Sequence, residues 1–401
     1  MSQHRPEVAD VIRDYGEQCL DLHRLTGEQR RVLRDLARCR TAALGGHQRV
    51  CDHCGHEQIA YNSCRNRHCP KCQGPARRRW LEARAADLLE VGYFHVVFTL
   101  PHELSSLARR QRRIVYGLFF RAVARTLLQV AQDPQHLGAR IGFLAVLHTW
   151  GQKLNHHPHI HCVVPGGGLS ADGTQWIPCR PGFFLPVKVL SRLLRGKMLA
   201  YLQQAVDQHA LDRDPLFADP AAWRQLRHDL ARKEWAVYAK PPFGGPQQVL
   251  KYLARYTHRV AIANSRILAV QDGQVTFRWK DYADRGRQKT MTLDAAAFLR
   301  RFLLHLLPSG FVHIRYYGWL AHRVRRQQLA RCRLLLDQES APTQAPASRD
   351  GVLTDPAPSG DSNLWRCPAC GQGRLVLVTP LDPDPCAPGA GLFPPREYDT
   401  S

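Results

Sequence analysis

The sequence predicts an α+β chain in which a small metal-binding segment precedes a larger domain of strands and helices. Three runs rich in β-branched and aromatic residues, at 93–100, 142–150 and 157–165, are typical of strands. A long amphipathic helix predicted over roughly 104–132 separates the first strand from the other two. Residues 45–73 are instead rich in Cys, His and Arg and poor in aliphatic side chains, so this segment needs a metal to fold.

Helical patterns predict the structure on either side of these strands. Thr26 begins a capping-box sequence, and apolar residues follow it at helical spacing, which makes residues 1–44 an N-terminal helical segment. Residues 186–232 are predicted to be mostly helical, and another helix is predicted to begin near Pro246. An Asp-Gly pair at 272–273 predicts the tight turn of a β-hairpin.

Composition divides the chain into five parts. Residues 338–363 are rich in Pro, Ala and Ser and lack a hydrophobic period, which is typical of a linker. In chain order we therefore expect an N-terminal helical segment at 1–44, a Cys-rich metal-binding domain at 45–80, a large domain at 88–330, this linker, and a small tail at 364–401.

The chain has a strongly basic balance of charge. Lys and Arg number 56 against 34 Asp and Glu, which gives a formal net charge of +22 and a pI of about 9.9. Because each Lys or Arg that neutralises a phosphate releases condensed counterions, this charge predicts a polyanionic partner such as DNA. A membrane surface would attract the same charge, but we expect no segment with the ~18 apolar residues that span a bilayer. The N-terminus has no apolar stretch typical of a secretory signal, so we expect a cytoplasmic protein.

The 13 cysteines are expected to bind metal and not to form disulfides, because several lie in Cys-x-x-Cys pairs of a chain expected in a reducing compartment. Cys51 and Cys54 form one pair, and Cys69 and Cys72 form a second pair after fourteen intervening residues. Four thiolates at this spacing predict a closed, tetrahedral structural Zn²⁺ site. Residues nearby that can replace one of these ligands are Cys64, His68, His53 and His56.

The zinc-binding segment also has a group of arginines that we expect to contact DNA phosphates. They are Arg65, Arg67, Arg77, Arg78 and Arg79. Because the predicted zinc site has no open coordination position, it shapes the fold and does no chemistry. A zinc nucleobase deaminase is excluded, since no His-x-Glu precedes the Cys-Pro-Lys-Cys sequence.

A third Cys-x-x-Cys pair lies in the C-terminal tail. Cys367 and Cys370 supply half of a zinc site, and Cys386 with its neighbours is the nearest group that can complete it. The spacing of Cys386 fits a zinc site poorly, so this pair is a weak signal on its own.

Two histidines on a predicted strand form a candidate catalytic metal site. Alternate side chains of a strand share a face, so His159 and His161 point to one face while Ile160 and Cys162 point to the other. Two neutral imidazoles about 6–7 Å apart can hold one divalent ion and leave positions open for a phosphate oxygen and water. A His-x-His pair alone is weakly specific, because ordinary polar strands also contain it.

Two tyrosines four residues apart make the histidine pattern more specific. Tyr252 and Tyr256 share one face of a predicted helix, although a pair of packed aromatic residues would have the same spacing. The cationic residues around them, which favour a phosphate, are Lys251, Arg255, His258 and Arg259. An activated phenol is a competent nucleophile on a phosphodiester, and the covalent intermediate conserves bond energy for rejoining. A bound metal would polarise the scissile phosphate.

With these motifs the sequence resembles the rolling-circle insertion-sequence transposases of the two-tyrosine HUH class, which include the insertion-sequence common-region elements. CDHCGHEQIAYNSCRNRHCPKC resembles their N-terminal zinc-binding domain. HVVFTLPHEL, HPHIHCVVPGGG and YLARYTHRVAI resemble successive parts of their catalytic domain. The resemblance covers roughly residues 10–330 and implies that residues 88–330 form an antiparallel, palm-like HUH endonuclease sheet flanked by helices.

The resemblance also implies the chemistry of the site. The HUH histidines of the family fall on His159 and His161, and the paired nucleophiles fall on Tyr252 and Tyr256. It implies Mg²⁺ or Mn²⁺ at the histidines and a 5′-phosphotyrosine intermediate. The implied function is the nicking and rejoining of single-stranded DNA at element ends during rolling-circle transposition, in the cytoplasm at the nucleoid.

Four residues are candidates for the third ligand of this metal. We expect Gln152, because related replication initiators often place a polar ligand at this distance before the histidines, on the preceding strand. His148, Asn155 and His157 are the competitors.

Two other functions fit part of the sequence. A plasmid replication initiator or a conjugative relaxase would share the chemistry. However, a relaxase usually carries three clustered histidines and a large helicase or primase partner, and this chain has no long P-loop sequence. A zinc-dependent DNA-binding regulator with structural histidines is the alternative from another class, and it does not require the tyrosine pair.

Overall fold

The computed structural model describes residues 5–243, 261–340 and 366–394, in which helices combine with antiparallel strands. The helices in these three ranges are α1 (Val8–Cys19), α2 (Gly27–Arg38), α3 (Gln73–Ala85), α4 (Ser105–Arg110), α5 (Arg112–Gln132), α6 (Val187–Asp207), α7 (Pro220–Arg232), α8 (Ala295–Leu303) and α9 (Arg325–Ser340). The strands are β1 (Gly46–Cys51), β2 (Glu57–Tyr61), β3 (Tyr93–Thr99), β4 (Gly142–Trp150), β5 (His156–Pro165), β6 (Gly167–Leu169), β7 (Trp176–Pro178), β8 (Val237–Phe243), β9 (Ile267–Gln271), β10 (Gln274–Asp281), β11 (Arg287–Asp294), β12 (Ile314–Gly318) and β13 (Leu375–Leu381).

Five antiparallel strands form the central sheet, in the order β12-β4-β5-β3-β8. One face packs against α5 and α6, where Phe98, Phe120 and Ile160 are fully buried. Each such side chain contributes about 1.5–3 kcal/mol by leaving water. In the ladder between β4 and β5, His148 lies opposite His159. The main core therefore lies on one face of this sheet, and the histidines lie on the other.

Helix α5 is long and apolar enough, by length and composition, to cross a membrane, which corrects the expectation that no segment has that length. It is a core helix here, since Val115, Phe119 and Val123 are fully buried in the core under the sheet. Arg121 and Arg125, one turn apart, lie on its exposed side. Its apolar composition is therefore explained by packing against the sheet and α6.

A second core joins the N-terminal helices to the strands that follow the central sheet. Helices α1, α2 and α8 pack with the sheet β11-β10-β9 around Ile12, Leu33, Phe277 and Phe298. The capping box predicted at Thr26 is confirmed at the start of α2. The hairpin predicted after residue 265 is also confirmed, because β9 and β10 are joined by Asp272 and Gly273, which both have positive φ angles.

The C-terminal tail does not form a separate unit. Strand β13 pairs antiparallel with β1 from Gly46↔Leu381 to Cys51↔Leu375, and completes a three-stranded sheet in the order β13-β1-β2. The physical reason is that β1 would otherwise present an edge of unpaired backbone groups. The predicted tail at 364–401 is therefore part of the N-terminal region wherever the structure describes it. The helix predicted near Pro246 lies outside the described residues.

Candidate metal centres and nucleic-acid surface

The central sheet brings three histidines together on the face opposite α5 and α6. His159 and His161 share this face of β5, and His148 on β4 lies directly opposite His159. One ring nitrogen of each residue lies within 4.8 Å of the corresponding nitrogens of the other two. The ring centroid of His161 lies 4.5 Å from that of His148 and 4.7 Å from that of His159. The three imidazoles are close enough to bind a single ion.

His159 and His161 on β5 are each oriented by a hydrogen bond through Nδ1. His159 Nδ1 donates to the carbonyl oxygen of His157 at 2.7 Å. His161 Nδ1 lies 2.8 Å from His95 Nε2, and the two rings are nearly parallel, at 7°. Burial lowers the pKa of His95 to about 3, so His95 is neutral at pH 7 and its Nε2 can accept this bond. A ring that donates through Nδ1 keeps its lone pair on Nε2, which is the form that binds a metal.

The three imidazoles form a donor set that suits a divalent transition-metal ion. Imidazole nitrogen binds such ions well, whereas Mg²⁺ prefers carboxylate and water oxygens. His148 and His161 are 3% and 7% exposed, while His159 is half-buried, so the group can be reached from the His159 side. The ring of Trp150 stacks on His148 at 4.6 Å and restricts its rotation.

The structure groups His148, not Gln152, with the two histidines on β5. Gln152 lies in the turn after β4, where its Oε1 accepts a hydrogen bond from the backbone N–H of Lys280 at 3.4 Å. Its carbonyl oxygen accepts a bond from Arg266 at 2.6 Å. Gln152 is therefore tied to the hairpin β9–β10, and the expectation that it is the third ligand gives way to His148. The competitor His157 contributes its backbone carbonyl, as the acceptor for His159.

We expect His148→Ala to weaken Mn²⁺ binding by about 100-fold or more, since even residues outside the ligand shell cost 10- to 100-fold. Gln152→Ala, the matched control four residues further on in the turn after β4, should change the Kd less than about threefold. Isothermal titration of the metal-free protein measures both values. An equal loss in the two variants would show that Gln152 is a ligand after all.

The predicted nucleophiles lie outside the described residues. These are Tyr252 and Tyr256, together with the neighbouring cations Lys251, Arg255 and Arg259. The structure thus gives no distance between the phenols and the histidine group. Their convergence stays a prediction from the sequence.

The four cysteines predicted to share one zinc site belong to two clusters. Cys69 and Cys72 lie with Cys39 and Cys64, whereas Cys51 and Cys54 lie with the tail residues Cys367 and Cys370. The physical reason is that the sheet β13-β1-β2 carries Cys51 and Cys54 towards the tail, while Cys69 and Cys72 lie at the start of α3. The expected grouping is therefore wrong, and Cys386, which is exposed, does not complete the tail pair.

The first cluster has the dimensions of a tetrathiolate zinc site. The Sγ atom of Cys72 lies 3.5 Å from that of Cys39 and 3.7 Å from that of Cys64, and Cys69 Sγ lies 3.5 Å from Cys39 Sγ. Zn–S bonds of about 2.3 Å in a tetrahedron place the sulfurs about 3.8 Å apart, whereas a disulfide needs about 2.05 Å. Hydrogen bonds from the Cys64 and Cys69 thiols lower the pKa of Cys39, while the same contacts with Cys39 raise the pKa of Cys64 and of Cys69. The spacing of the four sulfurs fits Zn²⁺.

Arg67, one of the arginines expected to contact phosphates, is engaged within the fold. Its guanidinium donates to the carbonyl oxygens of Leu307, Pro308 and Phe311 at 2.6–3.0 Å, beyond the end of α8. Burial lowers the pKa of Arg67 from its usual value. The other four predicted phosphate contacts are exposed, namely Arg65, Arg77, Arg78 and Arg79.

Replacing Arg67 with Ala should lower the free energy of unfolding by about 2–4 kcal/mol, because three carbonyl oxygens lose a charged donor. The matched control is Arg65→Ala, which removes an exposed guanidinium two residues away and should change stability by less than about 0.5 kcal/mol. Urea denaturation measures both. Similar stability of the two variants would contradict the bracing role of Arg67.

The Arg77→Gln/Arg78→Gln/Arg79→Gln variant should bind single-stranded DNA less tightly and with a weaker salt dependence. Successive helical residues point about 100° apart, so only two of the three can face one strand. The slope of log K against log salt should therefore fall by roughly 1–1.5. Fluorescence anisotropy at several salt concentrations measures the slope, with unchanged thermal unfolding as the control. An unchanged slope would remove α3 from the DNA-binding surface.

Comparisons with known proteins match two parts of the chain to transposase families. The family "Transposase zinc-binding domain" matches residues 11–100, and the family "Putative transposase" matches residues 142–328. A protein named "Putative transposase y4qJ" from Sinorhizobium fredii is 53% identical over 100% of both chains. The transposase for insertion sequence element IS801 from Pseudomonas savastanoi pv. phaseolicola is 28% identical over 86% of this chain and 82% of the relative. No solved structure matches the chain significantly.

Proposed function

This chain belongs to the family of insertion-sequence transposases that combine a transposase zinc-binding domain with a transposase domain, and we propose that it nicks and rejoins single-stranded DNA through a 5′-phosphotyrosine during rolling-circle transposition. A transposase acts on DNA, so DNA is its partner. The observation that carries the finer proposal is the group of His148, His159 and His161 on one face of the central sheet. It lies in the part of the chain that matches the transposase domain.

The histidine group would hold one divalent cation against the scissile phosphate. When bound, this cation supplies positive charge that polarises the phosphate and stabilises the charge developing in the transition state. His95 and the carbonyl of His157 keep the ligand nitrogens oriented. Because the three ligands are neutral imidazoles, we propose Mn²⁺ in preference to Mg²⁺.

Tyr252 and Tyr256 would act as the nucleophiles. The phenol of one tyrosine loses its proton and its oxygen attacks phosphorus, which breaks the bond to the leaving 3′ oxygen. That oxygen takes up a proton, and the DNA 5′ phosphate stays on the tyrosine. A 3′ hydroxyl reverses these steps to rejoin the strand. A second tyrosine on the same helix lets the protein cut another strand while the first end is still attached.

One end of the described chain supports this assignment. Ala261, which follows Tyr256 by five positions in the sequence, lines a small cavity with Trp150. The ring of Trp150 stacks on His148 at 4.6 Å. The chain is therefore close to the histidine group within a few residues of the predicted nucleophiles.

We also propose the palm-like HUH arrangement for the central sheet, with the protein acting in the cytoplasm at the nucleoid. Antiparallel order, helices on one face and ligands on the two neighbouring strands β4 and β5 support the fold. The basic charge of +22 supports close association with DNA.

His148, the third histidine of the group, favours one further candidate function. Relaxases usually carry three clustered histidines, so a relaxase-like nickase shares this feature with the group around His148. The chemistry at the phosphate would be the same in either case. The relatives named as transposases favour transposition.

The protein should form a covalent adduct with a labelled single-stranded element end in the presence of Mn²⁺, visible on a denaturing gel. The Tyr252→Phe/Tyr256→Phe variant should reduce the adduct at least about 1,000-fold, while each single variant keeps part of the activity. His159→Ala should lose cleavage and keep DNA binding. Tyr282→Phe is the matched control, because Tyr282 is 69% exposed and lies outside the site.

Two outcomes of this assay would count against the proposal. An adduct that persists in the double variant would mean that another residue is the nucleophile. No adduct with any terminal sequence, together with intact DNA binding, would favour a zinc-dependent DNA-binding regulator.

A further inference from the structure

The second cysteine cluster joins two distant parts of the chain. Cys54 Sγ lies 3.6 Å from Cys367 Sγ, a residue 313 positions away, and Cys51 Sγ lies 3.7 Å from Cys370 Sγ. The four sulfurs lie within 4.8 Å of one another. These distances are too long for disulfides and close to the edges of a zinc tetrathiolate tetrahedron, about 3.8 Å.

The two cysteine pairs lie in turns of the same design. Each turn reads Cys-x-x-Cys-Gly, and the glycine N–H donates to the carbonyl of the first cysteine, from Gly55 at 3.1 Å and from Gly371 at 2.9 Å. Both glycines have positive φ angles, 69° and 67°. In each turn the residue two after the first cysteine directs its N–H to that cysteine's Sγ at 3.4 Å. Backbone donors aimed at sulfur stabilise thiolates, which is the form that binds zinc.

The backbone around the cluster holds the two turns in contact. Asp52 N–H donates to the Arg374 carbonyl at 3.0 Å, and Arg374 N–H donates to Asp52 Oδ1 at 2.7 Å. Gly373 lies so close to the sulfurs that a Cβ there would be 2.5 Å from Cys51 Sγ. The pairing of β1 with β13 continues from this point.

We propose that Cys51, Cys54, Cys367 and Cys370 bind a second structural Zn²⁺, which fastens the C-terminal tail to the N-terminal domain. Binding forms four Zn–S bonds and releases the protons of the thiols that ionise. The first cluster lies wholly within the matched zinc-binding domain, residues 11–100. Cys367 and Cys370 lie beyond both matched ranges, which end at residues 100 and 328, so this site is separate from that domain's own cluster.

The second zinc would complete one folding unit from the two ends of the chain. Beyond β13, Phe393 is fully buried in the second core with Ile12, and a Cβ on Gly16 would lie 2.7 Å from its ring. Arg38 donates to the carbonyl oxygens of Gly389 and Ala390. The central sheet is thus an insertion between two segments that fold together. A metal cross-link closing so long a loop restricts the unfolded chain strongly.

The number of zinc ions bound per chain distinguishes this site from the first cysteine cluster. Relative to the unaltered protein, Cys367→Ser/Cys370→Ser should lose one equivalent of zinc per chain by mass spectrometry, with no loss from Cys386→Ser. Cys386 is the matched control because it is an exposed cysteine of the same tail. Since the measurement is a difference, any zinc on the histidine group cancels. An unchanged zinc content in the double variant, or an equal loss in the control, overturns the proposal.

A second measurement keeps the test valid if the double variant folds poorly. A specific protease site inserted between residues 341 and 365 allows the tail to be severed from the folded full-length protein. The severed tail should stay bound in gel filtration, and Cys370→Ser should speed its release at least about tenfold while Cys386→Ser does not. Equal release from the two variants would contradict the zinc clamp. Neither measurement involves DNA, so failure of the proposed strand transfer leaves both results unaffected.

Discussion

The pairing of β4 with β5 is the constraint on which the candidate active site depends. A shift of one residue would turn every side chain of β5 to the opposite face and separate the histidines. The turn between the strands is held from outside the sheet. Arg266, Arg301 and His305 donate to three successive carbonyl oxygens of that turn, those of Gln152, Lys153 and Leu154. Arg301 lies on α8, His305 lies just after it and Arg266 lies just before β9, so elements of the second core help set the geometry at the histidine group.

This dependence explains which ligands could be predicted from the sequence. His159 and His161 are two residues apart, and alternation along one strand is enough to place them on one face. His148 requires the register between two strands, which depends on where the turn begins and on an irregularity of pairing next to Trp150. Gln152 was expected on the basis of its distance along the chain, but the turn directs it to Lys280. The helices that the structure describes, the hairpin at Asp272 and the α+β class follow from local patterns and could be predicted, whereas the antiparallel order of the sheet was implied by the family resemblance.

The grouping of the cysteines and the contacts of Arg67 could not be predicted for a related reason. Cys-x-x-Cys turns are visible in the sequence, but their partners are decided by strand pairing across hundreds of residues, as with Cys54 and Cys367. Cys39 is a lone cysteine at the end of α2 and has no motif that predicts its role. Arg67 stands in a cationic segment, and only the fold shows that it braces backbone carbonyls. In this chain, local sequence patterns predicted the type of metal ligand and the face of a strand on which a side chain lies. Which residues contact one another depends on tertiary structure, and local patterns did not predict it.

Thiolate and imidazole ligands also suit the candidate metal sites to different roles. A zinc ion with four thiolates has a net charge of −2 and a closed shell, so it repels phosphate and suits a structural role. A divalent ion with three neutral imidazoles keeps its full +2 charge and open positions, which attract a phosphodiester. Both cysteine clusters include residues of the zinc-binding segment, whereas the imidazoles lie on the central sheet. In the proposed function the zinc sites would therefore shape the fold, while a cation at the histidines would act on the phosphate itself.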